Sequence, residues 1–293
     1  MRKQQSYYDL HLHSEWSWDG QVEIEEYLQY AKKTGIRCIA IADHDTWDCR
    51  QEILKISPRY PDVLCLPAAE LYVIAESLGN QWIHLLCYGF DGKPAKELQQ
   101  LKTRYHDWLS TGGHALLNAL QEVLKLPEEK CIKIAEFCSP KKVQKIQGIT
   151  HASFFNINNA LKQCGLQTAQ ETVKKITDCM WENIPVIPTS VEIIPLLKKA
   201  GIKTVLAHPY KFADNTNLLD SLKDELQLDG MECAHTRINP EMSKSLRKYC
   251  KNNGLFSTAG SDNHSKQEIT NLVGKHGGDN SWLEEFLEHL DVN

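Results

Sequence analysis

The chain has 293 residues and a formal net charge of -5 at pH 7, with 42% hydrophobic and 24% charged residues. That balance is ordinary for a globular chain, and the length suits one α/β barrel or a barrel with an insertion. The acidic charge argues against a basic nucleic-acid groove, although a short nucleic-acid end held by metals stays open, and no apolar run reaches the length a bilayer needs. Ten scattered cysteines form no CxxC pair, which argues against a zinc ribbon. They read as small buried hydrophobes of a reducing cytoplasm. Residues 1–8 are polar, with no secretory signal before the first motif.

The first expected element is a strand over 7–13 that contains Asp9-Leu10-His11-Leu12-His13-Ser14. Alternate side chains of a strand share a face, so His11 and His13 project together and Leu10 and Leu12 oppose them. An amphipathic helix over 21–34 follows, with Val22, Ile24, Tyr27, Leu28 and Ala31 as its apolar face and Gly35 as its stop. The apolar run 36–42 reads as a parallel strand covered on both faces, ending on Asp43-His44-Asp45. A helix near 47–56 leads to a strand over 63–69 that ends at Glu70, and another strand covers 83–89, with His84 near its start. Residues 95–182 are helix-rich and lysine-rich. The expected division is a barrel of residues 1–92 and 186–293, with a mainly helical insertion over 93–185. The insertion is expected to return to the barrel near 149–152, at His151. Alternation then resumes: a helix over 191–200, a strand over 203–207 ending on His208-Pro209, a helix over 216–227 and a strand over 228–233. A helix over 240–253 precedes the last strand, 255–259, which runs into Gly260-Ser261-Asp262-Asn263-His264.

This is a chain of βα units whose polar residues fall at strand ends, where βα barrels gather their active sites. His11, His13, Asp19, His44, Glu70, His84, His151, Asp262 and His264 are the candidate metal ligands. Nine exceed what one tetrahedral ion needs and suit two or three divalent ions. Mixed imidazole and carboxylate ligation fits zinc, manganese or iron. Clustered metals suit phosphoryl chemistry, in which an ion polarises an oxygen and a metal-activated hydroxide attacks. Each residue alone has a structural alternative: Asp43 or Asp45 can cap a turn, Glu70 a helix, and His208-Pro209 can be a simple turn. His106, His114, His276 and His289 read as structural. The arrangement of ligand types at successive strand ends is what favours a site.

Four segments, Asp9-Leu10-His11-Leu12-His13-Ser14, Ala42-Asp43-His44-Asp45-Thr46, Ala207-His208-Pro209 and Gly260-Ser261-Asp262-Asn263-His264, resemble in order the motifs of the polymerase and histidinol phosphatase (PHP) family. The resemblance implies a distorted (β/α)7 barrel with up to three metals. It implies that His11, His13, Glu70 and Asp262 hold the first, Glu70, His84 and His151 the second, and Asp19, His44 and His264 the third. It makes His208 a candidate for contacting phosphate or protonating the leaving group, and Asp262 a candidate for orienting the nucleophile. Residues 194–201 leading into 205–209, and 228–232 followed by His235, are similar to the branch of predicted metal-dependent phosphoesterases. That branch implies a phosphomonoester substrate: a 3′,5′-bisphosphorylated nucleotide or a short RNA end. Ile149-Thr150 stands before His151 where that branch commonly has Arg-Pro, so a bidentate phosphate clamp is missing. Trp16 and Trp18 are candidates to stack on a base, or to cover the barrel mouth. Lys211 and Arg237 follow strand ends as candidate anion contacts, or as surface salt-bridge partners. The expected partner is a small phosphorylated molecule, with neither a membrane nor a stable nucleic-acid complex. The alternatives are a histidinol-phosphate phosphatase and a non-catalytic PHP module.

Overall fold

The computed structural model describes residues 5–90 and 95–290. Seven strands lie in sequence order in one sheet: β1 (Tyr8–Leu12), β2 (Cys38–His44), β3 (Leu64–Ala75), β4 (Gln81–Tyr88), β5 (Lys203–Leu206), β6 (Gly230–His235) and β7 (Phe256–Gly260). The sheet curls until its ends meet. His13 N–H donates to the Asn263 carbonyl at 3.0 Å, Asp262 N–H donates to the His11 carbonyl at 2.9 Å, and Leu12 bridges Asn263. The result is a nearly closed, distorted (β/α)7 barrel wrapped by helices.

Helices α1 (Ile24–Thr34) and α2 (Arg50–Ile56) cover the first strands. The apolar spacing of α1 buries Ile24, Tyr27, Leu28 and Ala31, and Gly35, at φ 78°, ends it with an N–H bonded to the Ala31 carbonyl. Helices α3 (Lys96–Leu124), α4 (Glu128–Cys138), α5 (Lys141–Gln147), α6 (Phe154–Gln163) and α7 (Gln170–Glu182) follow β4, and α3, α4, α6 and α7 share a cluster built on Leu116, Leu120, Ile134, Ile157, Ile176 and Met180. The expected limit at 92/93 lies outside the described residues. Helices α8 (Ser190–Lys199), α9 (Thr216–Glu225) and α10 (Pro240–Asn252) cover the later strands, and α11 (Ile269–Leu272) and α12 (Ser281–His289) finish the described chain. Among the described residues, no helix is long and apolar enough to cross a membrane.

Three local features depart from the sequence reading. First, β3 does not stop at Glu70. It runs to Ala75 and turns through Glu76–Leu78 and Gly79 into β4, which is antiparallel to both neighbours. So short a link cannot make a parallel crossover. Second, the ladder of β1 shifts register between Asp9 and Leu12. Leu10 therefore packs in the cluster of Tyr8 and Ala40, while Leu12 packs in that of Ile39, Ile41 and Leu28, and the two leucines do not share a face. Third, residues 149–152 are coil rather than strand. They press on α3 at Gly112 and Gly113; a Cβ on Gly113 would lie 1.9 Å from the Ile149 carbonyl oxygen.

Candidate active site

The strand ends and the first loop bring eight of the nine candidate ligands together. In the first group, the His11, His13, Glu70 and Asp262 ligand atoms all lie within 4.8 Å of one another. His11 Nε2 and His13 Nε2 each lie 3.2 Å from Glu70 Oε2, and His13 Nε2 lies 3.2 Å from Asp262 Oδ1. A second group joins Asp19, His44 and His264 to His13. Its contacts to Asp19 Oδ2 measure 3.6 Å from His44 Nε2 and 3.4 Å from His264 Nε2. A third group is His44, Glu70 and His84. The reversed direction of β4 explains the reach of His84: the strand starts at the mouth, and its register pairs His84 with Tyr72, two residues beyond Glu70 and on the same face.

His151 joins none of these groups. It is buried among the indoles of Trp18, Trp108 and Trp181, at ring separations of 4.5, 4.9 and 5.2 Å. Burial pushes its pKa down to about 3, so it is neutral. Trp18 is itself buried and stacks on His44. Trp16 donates its indole N–H to Glu52 at 3.0 Å, with Lys142 over its ring. Lys211 and Arg237 are exposed at the mouth: Lys211 Nζ lies 5.5 Å over the Trp82 ring, and Arg237 donates to the Tyr210 hydroxyl at 3.4 Å. The histidines read as structural stay outside every ligand group. His106 pairs with Asp48 at 3.0 Å, His276 bonds the Tyr8 carbonyl and His289 the Glu285 carbonyl.

His208 Nε2 lies 3.4 Å from Glu70 and 3.5 Å from Asp262. His208 and Asp262 both hold left-handed backbone, at φ 48° and 58°. Such conformations cost about 1–3 kcal/mol each and persist only where the surroundings enforce them. Here the His208 N–H donates to Glu232 at 3.0 Å and the Asp262 N–H to the His11 carbonyl. Asp43 and Asp45 act as loop supports: Asp43 accepts from the Ser14 N–H and hydroxyl, and Asp45 from the Tyr72 N–H.

Glu232 and His235, noted in the sequence as part of the branch resemblance and not as site candidates, complete the cluster. Glu232 Oε1 accepts from the His11 Nδ1–H at 2.9 Å, and His235 Nε2 lies 3.5 Å from Asp262. They are three residues apart and share the inner face because β6 shifts register between Glu232 and Ala234. The available signal was a carboxylate in an otherwise apolar strand.

Charges balance within this buried cluster. Burial pushes the Glu70 carboxyl up, yet the imidazoles of His84, His11, His208 and His44 outweigh it and hold it well below the usual range. Asp262 is held down in the same way, against burial, by His11, His13, His208 and His235. Burial opposes charge on His13, but the Asp262 and Glu70 carboxylates beside it raise its pKa to about 9. His44 goes the other way, because burial dominates and lowers it well below its ordinary value.

The donor set fits divalent cations. His11 Nε2, His13 Nε2, His44 Nδ1, His84 Nε2, Glu70 Oε2 and both ring nitrogens of His151 are buried with no hydrogen bond among the described residues. Buried polar atoms are seldom left so. The second-sphere bonds agree: Glu232 at His11 Nδ1 and the Asp262 carbonyl at His264 Nδ1 leave the Nε2 of each ring facing the cluster.

The PHP domain family matches residues 9–178. The chain belongs to this family. Among solved structures, a "putative metal-dependent phosphoesterase" from Bifidobacterium adolescentis is similar to this PHP protein over 99% of this chain and 98% of its own, at 22% identity and a TM-score of 0.74. An amidohydrolase from Chromobacterium violaceum, described with bound SO4 and no metal, covers 92% of this chain and 90% of its own, at 20% identity and a TM-score of 0.66. At these identities the likeness is one of fold. No curated protein matches the chain.

Proposed function

We propose that this PHP protein is a metal-dependent phosphoesterase that hydrolyses a phosphomonoester, with nucleotides as the favoured class. The observation that carries the reading is the convergence of buried imidazole and carboxylate atoms, without hydrogen bonds, around Glu70 and Asp262. The description of one similar structure as a phosphoesterase, and the sulfate in the other, a tetrahedral oxyanion like phosphate, support it.

Two or three divalent ions (manganese, zinc or iron) would be held by His11, His13, Glu70 and Asp262, by Asp19, His44 and His264, and by His84 with Glu70. When bound they supply Lewis-acid activation of water and neutralise charge on the phosphoryl oxygens. His151 is not in these groups, although both its ring nitrogens are buried without hydrogen bonds. His208 Nε2 lies 3.4 Å from Glu70 and 3.5 Å from Asp262, facing the site, and is placed to protonate the leaving oxygen. Lys211 and Arg237 present positive charge to the arriving anion.

The test is phosphate release from p-nitrophenyl phosphate, nucleotides and histidinol phosphate, with added Mn²⁺ and after chelation, alongside metal analysis. Turnover lost on chelation is expected. Asp262→Ala is expected to keep its circular dichroism and lose roughly a thousandfold in kcat, as when a transition-state contact is removed. Full activity in metal-analysed Asp262→Ala protein would overturn the mechanism. Preference for histidinol phosphate would place the enzyme in the other phosphatase branch.

A further inference from the structure

Helix α10 packs on β6 and β7 and carries Lys244, Arg247, Lys248 and Lys251 at spacings of three and four residues, so these cations share one face. With Ser243, Asn252 and Trp282 of the first turn of α12 they line a groove of about 330 Å³ on the outside of the barrel. None of these residues belongs to a ligand group of the mouth. No carboxylate lines the groove, in a chain whose net charge is -5. Arg247 is committed: it pairs with Glu285, donates to the Ser257 hydroxyl at 2.9 Å and lies 5.4 Å over the Trp282 ring. The side chains of Lys244, Lys248, Lys251, Ser243 and Asn252, by contrast, make no hydrogen bond or ion pair among the described residues. Like charges at such spacings on a helix repel, so the three lysines leave the groove short of negative charge.

We infer that this groove is a binding site, separate from the mouth, for a small polyanion built of linked phosphoryl groups. A lysine ammonium is a mobile point charge that suits a tetrahedral phosphoryl group, whereas planar carboxylates favour the fork of an arginine, and Arg247 is taken by Glu285. Lys244 to Lys251 span about 10 Å of helix at 1.5 Å per residue, so a chain of linked phosphoryl groups matches the three ammonium groups better than one does. The Ser243 hydroxyl and the Asn252 amide supply further donors to the free oxygens. Such a ligand removes the repulsion among the lysines, and by binding the native chain it stabilises the fold.

The probe is inorganic triphosphate, titrated by calorimetry into the full chain in EDTA, which keeps divalent ions from both the mouth and the probe. One site per chain is expected, at least tenfold tighter than for orthophosphate, with a rise in Tm. Lys248→Ala combined with Lys251→Ala is expected to weaken binding tenfold or more while the Tm of the free protein is kept, since both side chains are exposed. Lys130→Ala combined with Lys133→Ala removes the same charge from exposed positions of α4 and is expected to leave binding unchanged. Equal losses in the two double variants overturn the inference, because they reveal only the general attraction of a less acidic chain for anions. Equal affinity for triphosphate and orthophosphate overturns it as well. So does the absence of binding; if the chain then sediments with phosphatidylserine vesicles and the Lys248/Lys251 variant does not, the groove is a membrane contact instead.

Discussion

Glu232 accepts from the His11 ring on one oxygen and from the His208 backbone N–H on the other. One buried carboxylate thus sets the orientation of a ligand and of the residue assigned to the leaving group. Its charge matters as well as its place, because burial raises its pKa and the imidazoles of His11, His235 and His208 more than reverse that. Glu232→Gln retains shape and removes charge. Loss of an outer-shell partner typically costs 10–100-fold in metal affinity or activity. Glu232→Gln is therefore expected to weaken Mn²⁺ binding by about 10–100-fold, read by metal titration, and to lower kcat with little change in KM. Unchanged metal affinity and kcat would show that Glu232 is only packing. At this scale His11, His13, Asp19, His44, Glu70, His84, Asp262 and His264, expected as ligands from residue type and position, are brought into one cluster. His151 matched the same pattern, yet the structure sets it among Trp18, Trp108 and Trp181. Nothing local in Ile149-Thr150-His151 distinguishes the two outcomes, since the three indoles come from distant segments.

Beside the apolar packing of Leu101, Tyr105 and Trp108 on the barrel, polar contacts tie the helices after β4 to it. Asp48, just before α2, accepts from His106 at 3.0 Å and pairs with Lys102, both on α3. Burial raises the Asp48 carboxyl, but these two partners outweigh it and hold its pKa below the ordinary value. A carboxylate depressed in the native state contributes stability above its unfolded pKa, near 3.9, and loses it as pH falls through the native value. Asp48→Asn is expected to destabilise by about 1 kcal/mol at pH 7, from loss of its charge-assisted bonds to the half-buried Lys102 and His106. The gap between variant and wild type should begin to close near pH 4 and shrink further below it. Urea melts at pH 7 and pH 3 check this; a gap of equal size at both would refute the role given to Asp48. Elements were legible where a periodic apolar face met a clear stop, as in α1 with Gly35. They were missed where geometry depends on neighbours. The β3–β4 hairpin and the register shifts of β1 and β6 reverse or rotate side chains without changing the apolar pattern.

For the molecule as a whole, the cluster sits where the barrel closes, with β1 and the segment after β7 joined by the His13 and Asp262 backbone bonds. A ligand that binds the native state alone stabilises it by RT ln(1 + [L]/Kd), about 2.7 kcal/mol at one hundred times Kd. Saturating Mn²⁺ is therefore expected to raise Tm by a few degrees, and EDTA to reverse the rise. A scanning calorimetry trace unchanged by Mn²⁺ would contradict metal binding at the barrel seam. The amino-acid sequence alone determined the α/β alternation, the barrel, the helix-rich segment after β4 and the residue types that the barrel gathers into its cluster, because strand alternation and helix periodicity are local and donor chemistry belongs to the residue. The reversal of β4, the packing of His151 among three indoles, the approach of Glu232 and His235 to the cluster, and the pocket beside Asp19 were decided by tertiary packing. Each depends on which segments meet across the barrel, and no local pattern encodes that.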